Sequence, residues 1–434
     1  MKVYIHTWGC QMNVLDSEVI RGEFAAQGVD AAAAVEDADI IVFNTCSVRE
    51  HAENKVLSRL GALKELKARR PDVTVVIAGC MAQRLGGELL RRYPQLDLVV
   101  GTRRIGEFVD LVREARAAGR AVHVEEDRES YPRRDSRFRA SRAQAFVSVM
   151  RGCDNFCAYC IVPFVRGRQA SRPADEVIDE VKALSDDGVV EVTLLGQNAT
   201  AYGRDRGETG ALARLLEGVS GVAGIEWIRF VTSHPRDTGD DVFRAMRELP
   251  KLCPYMHLPA QSGSDRILKA MGRGYTRREY LDRIGRLHKI AGDVSVAGDF
   301  IVGFPGETED DFEDSAGLIR AVGYKNSFIF KYSPREGTAA ARLSDDVPLA
   351  EKKRRNNALL AVQEEVSLAH NSGFVGRRVK VLVEGASKKG GKLSGRTAGD
   401  EIVIFQGPPG IEGRFIEVEI TGASAVNLFG RLAG

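Results

Sequence analysis

Ala145-Phe146-Val147-Ser148-Val149-Met150-Arg151-Gly152-Cys153-Asp154-Asn155-Phe156-Cys157-Ala158-Tyr159-Cys160 joins an apolar, strand-like run to a loop that carries three cysteines. Their C-x3-C-x2-C spacing offers three thiolates to a cubane of four irons and leaves one iron without a protein ligand. A cubane with a full set of cysteines is mainly an electron carrier, whereas one with a vacant iron binds and reduces a small molecule directly. The spacing differs from the four-cysteine run of ferredoxins and from the paired C-x2-C of zinc sites. A zinc knuckle completed by a distant residue is the alternative reading. The loop follows a strand, as ligand-bearing loops do in parallel α/β folds.

The strand pattern then repeats. Candidate strands at Val190–Leu195, Ile225–Thr232, Tyr255–Leu258, Val294–Val302 and Asn326–Tyr332 follow Ala145–Met150. Helical segments such as Ala174–Ser185, Asp241–Glu248, Arg277–Ala291 and Asp310–Val322 separate most of them. Six parallel strands predict an open, partial (β/α)6 barrel. Its carboxyl mouth would hold the cysteine loop, and later loops would contact whatever binds the open iron.

Upstream, three strand-like runs each end in a cysteine: Lys2–Trp8 before Cys10, Asp39–Thr45 before Cys46, and Val73–Gly79 before Cys80. Alternation with helical segments such as Ala52–Arg69 implies a parallel sheet, and ligands bind at the carboxyl edge of such a sheet. The three thiols are therefore expected to converge and to hold a second cluster, again with an open iron. Buried cysteines often serve as small hydrophobes, but recurrence at three successive strand ends argues against that here. Between the two regions, Arg128–Arg142 holds six arginines against two acidic residues. It reads as a linker, either solvated or in contact with phosphate.

After a helical run at Leu349–His370, short strands begin: Arg378–Glu384, Glu401–Phe405 and Phe415–Gly422. Segments of this kind close a small antiparallel barrel, an architecture often used on RNA. Lys388, Lys389, Lys392 and Arg396 are the residues expected to follow a phosphate backbone; the alternative is a solvated hairpin tip. The carboxylates Asp400 and Glu401, close behind Arg396, would repel phosphate there.

Composition agrees with an intracellular cluster-bearing enzyme. The chain has 434 residues, 44% of them hydrophobic, enough for two or three domains. Seven cysteines, an odd number, argue against a disulfide framework and for a reducing compartment. Met1 to Cys10 shows no basic segment leading into an apolar stretch, and no apolar run approaches the ~20 residues of a membrane helix. A cytoplasmic monomer without membrane contact is expected. The net charge of +2 says nothing about partners. Cys253 lacks a ligand-spaced neighbour and is read as a buried structural thiol. Gly303-Phe304-Pro305-Gly306 is read as a turn.

Arg151 to Cys160 resembles the cluster loop of radical S-adenosylmethionine enzymes. Gly9-Cys10-Gln11-Met12-Asn13, Asn44-Thr45-Cys46-Ser47 and Ala78-Gly79-Cys80 are similar to the N-terminal motifs of the methylthiotransferases among them. The resemblance extends through Leu194–Asn198, Thr232–Pro235, His257–Ser264 and Asp299–Glu307, and the residues after Cys10 and Cys46 are most similar to the enzymes acting on isopentenylated adenosine in tRNA. It implies four regions: 1–118, a methylthiotransferase domain with the auxiliary cluster; 119–138, an Arg-rich linker; 139–370, the radical core; and 371–434, a TRAM-like RNA-binding β-barrel.

The resemblance further implies two 4Fe-4S clusters and S-adenosylmethionine. Cys153, Cys157 and Cys160 would hold the cluster that chelates S-adenosylmethionine, and Cys10, Cys46 and Cys80 the one that delivers sulfur. A 5'-deoxyadenosyl radical would take hydrogen from C2 of N6-isopentenyladenosine at position 37, next to the anticodon. A second S-adenosylmethionine would give the methyl group, with no side-chain acid or base required. Tyr159 matches the aromatic position beside the nucleotide's adenine, and Gln197, Asn198, Ser233 and Asp299 are candidates for its ribose or carboxylate. The implied partners are a tRNA anticodon stem-loop, an electron donor such as flavodoxin or ferredoxin, and a sulfur or cluster carrier. Related enzymes modify threonylcarbamoyl-adenosine in tRNA or a ribosomal-protein aspartate, and these remain alternatives. So do non-catalytic classes: an iron-sulfur RNA-binding sensor and a zinc-stabilised RNA-binding module.

Overall fold

The computed structural model describes residues 1–47, 50–125, 135, 138–139, 141–388 and 390–433. It divides into two compact units, the first made of Met1–Ala140, Arg151–Asp154 and Cys160–Gln169, the second of Ser141–Met150, Asn155–Tyr159 and Ala170–Gly434.

In the first unit the chain runs β1 (Lys2–Trp8), α1 (Gln11–Ala26), β2 (Asp30–Ala31), β3 (Ile40–Thr45), α2 (Glu50–Arg69), β4 (Thr74–Gly79), α3 (Cys80–Leu85), α4 (Gly87–Arg92), β5 (Leu98–Val100), α5 (Phe108–Ala118) and β6 (Ala121–His123). The strands form one parallel sheet in the order β2-β1-β3-β4-β5-β6. β3 and β4 are buried along their whole length, which explains their unbroken apolar character: both faces are covered. Alternate residues serve opposite layers. Val42 and Val76 pack with Ile20, Phe24 and Phe108, while Ile41, Phe43 and Val75 pack with Leu60 and Leu63. The sheet extends into the expected linker, because Ala121–His123 pairs with β5; three residues are too few to show a period. Residues 126–134 and 136–137, most of the arginine-rich run, lie outside the described residues.

The chain continues through β7 (Gln144–Ser148), β8 (Met150–Arg151), α6 (Val162–Arg166), β9 (Ala170–Ser171), α7 (Ala174–Asp186), β10 (Glu191–Leu195), α8 (Ala211–Ser220), β11 (Trp227–Val231), α9 (Asp240–Glu248), β12 (Tyr255–His257), α10 (Asp265–Ala270), α11 (Arg277–Ala291), β13 (Ser295–Val302), α12 (Glu309–Val322), β14 (Asn326–Lys331) and α13 (Leu349–Ser372). The six main strands form two parallel sets, β7-β10-β11 and β12-β13-β14, with an isolated bridge from Ile228 to Leu252. One core joins Val147, Leu194, Phe230 and Phe300 of the strands to Val181, Leu215, Phe243 and Ile319 of the helices. Two helix starts are written in the sequence as capping boxes, Thr276 with Glu279 at α11 and Thr308 with Asp311 at α12. α8, unassigned from the sequence, fills the gap between β10 and β11.

Five strands close the terminal barrel, where three are recognisable from the sequence: β15 (Arg378–Ala386), β16 (Leu393–Thr397), β17 (Ile402–Gln406), β18 (Phe415–Ala423) and β19 (Asn427–Leu432). The order is β15-β16-β17-β19-β18, and the pairing is antiparallel except between β17 and β19.

The barrel seats against the amino ends of the core strands. Arg229 on β11 pairs with Glu191 at the start of β10 (3.1 Å) and donates to Thr397 O (2.7 Å) and Ala398 O (2.8 Å). Trp227 meets Phe415 edge-on at 4.7 Å. Asp400 and Glu401, expected to repel phosphate, belong to this seat. Asp400 pairs with Lys325 (3.2 Å) and Arg396 (2.8 Å), and Glu401 accepts from Ser295 (2.8 Å), approaches His370 (3.2 Å) and bonds Thr397.

Burial alone would push the Glu401 carboxyl up. The His370 hydrogen bond, the Lys325 charge and the Thr397 and Ser295 hydroxyls outweigh it and hold the group down at about 2. A carboxyl depressed on folding stabilises the native state above its ordinary pKa and loses that contribution as pH falls towards 2. The expected contribution at neutral pH is about 3 kcal/mol. Urea melts at pH 6 and pH 3 should show E401Q losing less stability between the two than the parent.

Candidate active site

Cys10, Cys46 and Cys80 follow the ends of β1, β3 and β4, neighbouring strands whose last residues are in register, Trp8 with Thr45 and Thr45 with Gly79. A hydrogen-bonded polar network fixes this corner. Asn13 Nδ2 donates to Asn44 Oδ1 (3.0 Å), Asn44 Nδ2 donates to Asn13 O (2.8 Å) and Ser17 Oγ (2.9 Å), and Thr45 Oγ1 donates to Ala78 O (2.9 Å). Cys10 caps α1, and its Sγ donates to Asn13 Oδ1 (3.3 Å). A hydrogen bond with Cys46, together with the charge of Arg166, draws the Cys10 thiol down despite burial. Burial pushes the Cys80 thiol up, and Arg166 offsets part of that.

Arg166 was not foreseen in this corner. Its Nε donates to Cys80 Sγ (3.2 Å) and its Nη2 to Asp16 Oδ2 (2.9 Å). Among the described residues no three His, Cys, Asp or Glu side chains already stand close enough together to hold one metal ion. The corner fits an iron-sulfur cluster through its donor chemistry: three thiols with a buried cation beside them.

Gly79 is essential to that geometry. Its φ is +91°, and a Cβ there would lie 2.5 Å from Asn44 Oδ1 and 2.6 Å from Thr45 O. G79A is expected to displace the Asn44 network and to lower the iron retained after reconstitution below that of the parent; iron analysis of the purified variant checks this.

The second cysteine loop is braced at both ends. Cys153 N donates to Gly167 O (3.2 Å), and Gly152, at φ +71°, lies so close to Arg168 that a Cβ would come within 2.0 Å of its carbonyl oxygen. Asp154 pairs with Arg168 (2.8 Å). In the middle of the loop, Ala158 N donates to Met271 O (2.8 Å) and Ala158 O accepts from Ala340 N (2.7 Å). Tyr159 packs against a cluster containing Ile267, Met271 and Phe304. Arg273, also missed, is 4% exposed. It donates to Tyr275 Oη (2.9 Å), Pro259 O (2.7 Å), Cys157 Sγ (3.4 Å) and Tyr159 Oη (3.4 Å).

Loops after β10, β11 and β12 gather polar atoms at the carboxyl mouth. Gln197 is half-buried after β10. Asn198 is buried, with Nδ2 donating to Asp237 Oδ2 (2.6 Å). Ser233 Oγ, His234 Nε2 and His257 Nε2 are buried and without hydrogen-bond partners. Burial and the Arg273 charge hold His234 well below the usual histidine range. It is therefore neutral, with Nδ1 accepting from Arg236 N (3.2 Å) and its proton on Nε2. Asp299 lies inside β13, with His257 Nε2 at 3.4 Å. Thr232, a β-branched residue, has φ +68°, and Gln261 has +74°. Such conformations cost about 1–3 kcal/mol each and collect at functional sites.

Of the RNA candidates, Lys388 and Lys392 are exposed between β15 and β16, Arg396 pairs with Glu384 (2.9 Å) and Asp400, and Lys389 lies outside the described residues. Cys253 is 3% exposed and packs with Trp227 and Leu382, where burial pushes its thiol up to about 12.

Residues 2–101 match uncharacterized protein family UPF0004, residues 147–319 the radical SAM superfamily, and residues 375–433 the TRAM domain. The fold is similar to that of the radical S-adenosylmethionine methyltransferase TsrM from Kitasatospora setae, with a TM-score of 0.57 at 13% identity over 78% of this chain and 77% of that one. Cysteine loop, open barrel and family match together define a radical S-adenosylmethionine enzyme, a class built on a 4Fe-4S cluster and S-adenosylmethionine. The tRNA-2-methylthio-N(6)-dimethylallyladenosine synthase of Moorella thermoacetica is 46% identical over 432 residues, covering 99% of this chain and 97% of its own, and that of Syntrophotalea carbinolica is 45% identical over 428 residues, covering 97% of each. The chain belongs to this family of methylthiotransferases. Among the described residues no helix is long and apolar enough to cross a membrane.

Proposed function

We infer that the protein methylthiolates C2 of N6-isopentenyladenosine, also called dimethylallyladenosine, at position 37 of tRNA, with two S-adenosylmethionine molecules used per product. The observation that carries this is identity of 45–46% over nearly the whole chain with synthases of that name. It favours this substrate over threonylcarbamoyl-adenosine or a ribosomal-protein aspartate. Residues 1–118 would carry the auxiliary cluster on Cys10, Cys46 and Cys80, and residues 139–370 the radical cluster on Cys153, Cys157 and Cys160. Residues 371–434 would grip the anticodon stem-loop, with Lys388, Lys389 and Lys392 on phosphate. When bound, the clusters and S-adenosylmethionine supply the radical that removes the C2 hydrogen and the sulfur and methyl that replace it.

The chain's own residues bind and orient. Tyr159, fixed by Arg273, offers an aromatic edge to the nucleotide's adenine. Ser233 Oγ and the Nε2–H of neutral His234 are free to donate to an anionic or carbonyl oxygen. Gln197, Asn198 and Asp299 would hold ribose or the methionyl group. A flavodoxin- or ferredoxin-type donor would supply electrons in the cytoplasm, and a sulfur or cluster carrier would restore the auxiliary site.

Anaerobic reconstitution with iron and sulfide, then reduction with S-adenosylmethionine and isopentenylated anticodon stem-loop RNA, tests the reading. About eight irons, 5'-deoxyadenosine and methylthiolated adenosine are expected, in line with two cubanes. Eight irons and 5'-deoxyadenosine with unmodified RNA would overturn the substrate assignment.

A further inference from the structure

We propose that Arg166 is the charge partner of the auxiliary cluster, setting its reduction potential and its retention; the proposal rests on the reading that Cys10, Cys46 and Cys80 hold that cluster. The Arg166 side chain is 3% exposed, and that of Asp16 is 4% exposed. Its three nitrogens are used unequally. Nη2 meets Asp16, Nε meets Cys80 Sγ, and Nη1 is buried without a hydrogen-bond partner. An ion pair that served the fold alone would have no need of a thiol as its second acceptor, nor of a leftover donor whose burial goes uncompensated.

The surroundings keep the guanidinium in place. Ile161 and Val165 pack on Cys80, and Val165 O accepts from Thr102 Oγ1 (2.7 Å). Past Arg166 the chain turns at Gly167, at φ +77°, where a Cβ would strike the Arg103 guanidinium. A cubane on three thiolates is anionic, and one-electron reduction adds a further negative charge. Hydrogen bonds to sulfur and nearby positive charge stabilise that reduced form and raise its potential. One carboxylate, Asp16, balances the arginine before the cluster is bound. After loading, the cluster and its thiolates become the larger negative group beside it.

The experiment uses the full chain with C153A, C157A and C160A, so that only the auxiliary cluster can form, followed by iron analysis and an electron paramagnetic resonance redox titration with dithionite and mediators. The parent should hold about four irons. R166Q should titrate at a more negative potential than the parent or keep less than half its iron, and R166K should stay close to the parent. D16N, which leaves the arginine in place and removes its competing carboxylate, should move the potential the opposite way, and it serves if R166Q does not fold. R166Q with full iron and the parental potential, R166K losing the cluster as completely as R166Q, or D16N with an unmoved potential would overturn the proposal. A parent that takes up no iron would instead overturn the underlying assignment of the three cysteines.

Discussion

C157A is expected to abolish 5'-deoxyadenosine formation altogether and to lower bound iron well below that of the parent. Cys157 is 8% exposed and sits beside Arg273, so alanine removes the sulfur without opening a large cavity. An unactivated C–H bond is beyond the reach of side-chain acids and bases, so no neighbouring residue is expected to restore the step. C46A should behave in the complementary way: 5'-deoxyadenosine still forms, and the adenosine acquires no methylthio group. Product analysis by mass spectrometry on both variants separates radical generation from sulfur delivery. Loss of 5'-deoxyadenosine in C46A, or its persistence in C157A, would contradict the division of roles.

R355A is expected to cost about 3–5 kcal/mol of stability. Arg355 on α13 pairs with Glu307 (2.9 Å) and also donates to Glu307 O (2.9 Å). Their side chains are 6% and 1% exposed. Glu307 also accepts from Gly303 N (2.5 Å), tying the turn after β13 to the long helix. Alanine would strand a buried carboxylate, which burial already pushes up. R355M combined with E307Q should lose much less, since it removes both charges. Urea denaturation of the two variants and the parent checks the ordering, and equal losses in the single and double variants would refute it.

Gly303–Glu307 shows how a sequence underdetermines such a device. Its glycines announce a turn, and Gly303 and Gly306 do take positive φ, but the partner that makes Glu307 more than a turn residue lies 48 positions away. The same limit governs the site. The place of Cys10, Cys46 and Cys80 at neighbouring strand ends was legible because each follows an apolar run, and parallel strands bring such ends together. Arg166 left no local trace, being 86 residues from Cys80 and 150 from Asp16. Long strands with β-branched runs, such as Thr74–Gly79, declared themselves within a residue. Leu393–Thr397 and Asn427–Leu432, with Gly, Ser, Arg and Asn among few apolar residues, become strands only because barrel closure gives them partners.

The seat of the terminal barrel has a consequence for substrate size. Trp227, which it touches, begins β11 and lies in register with Glu191 at the start of β10, whereas Gln197 and Ser233 lie beyond the other ends of those strands. Five residues at about 3.3 Å each put roughly 17 Å between the two places. An RNA held by the barrel while presenting a base at the mouth must bridge at least that gap, so on the proposed reading the footprint would exceed the reach of the target nucleotide and its immediate neighbours.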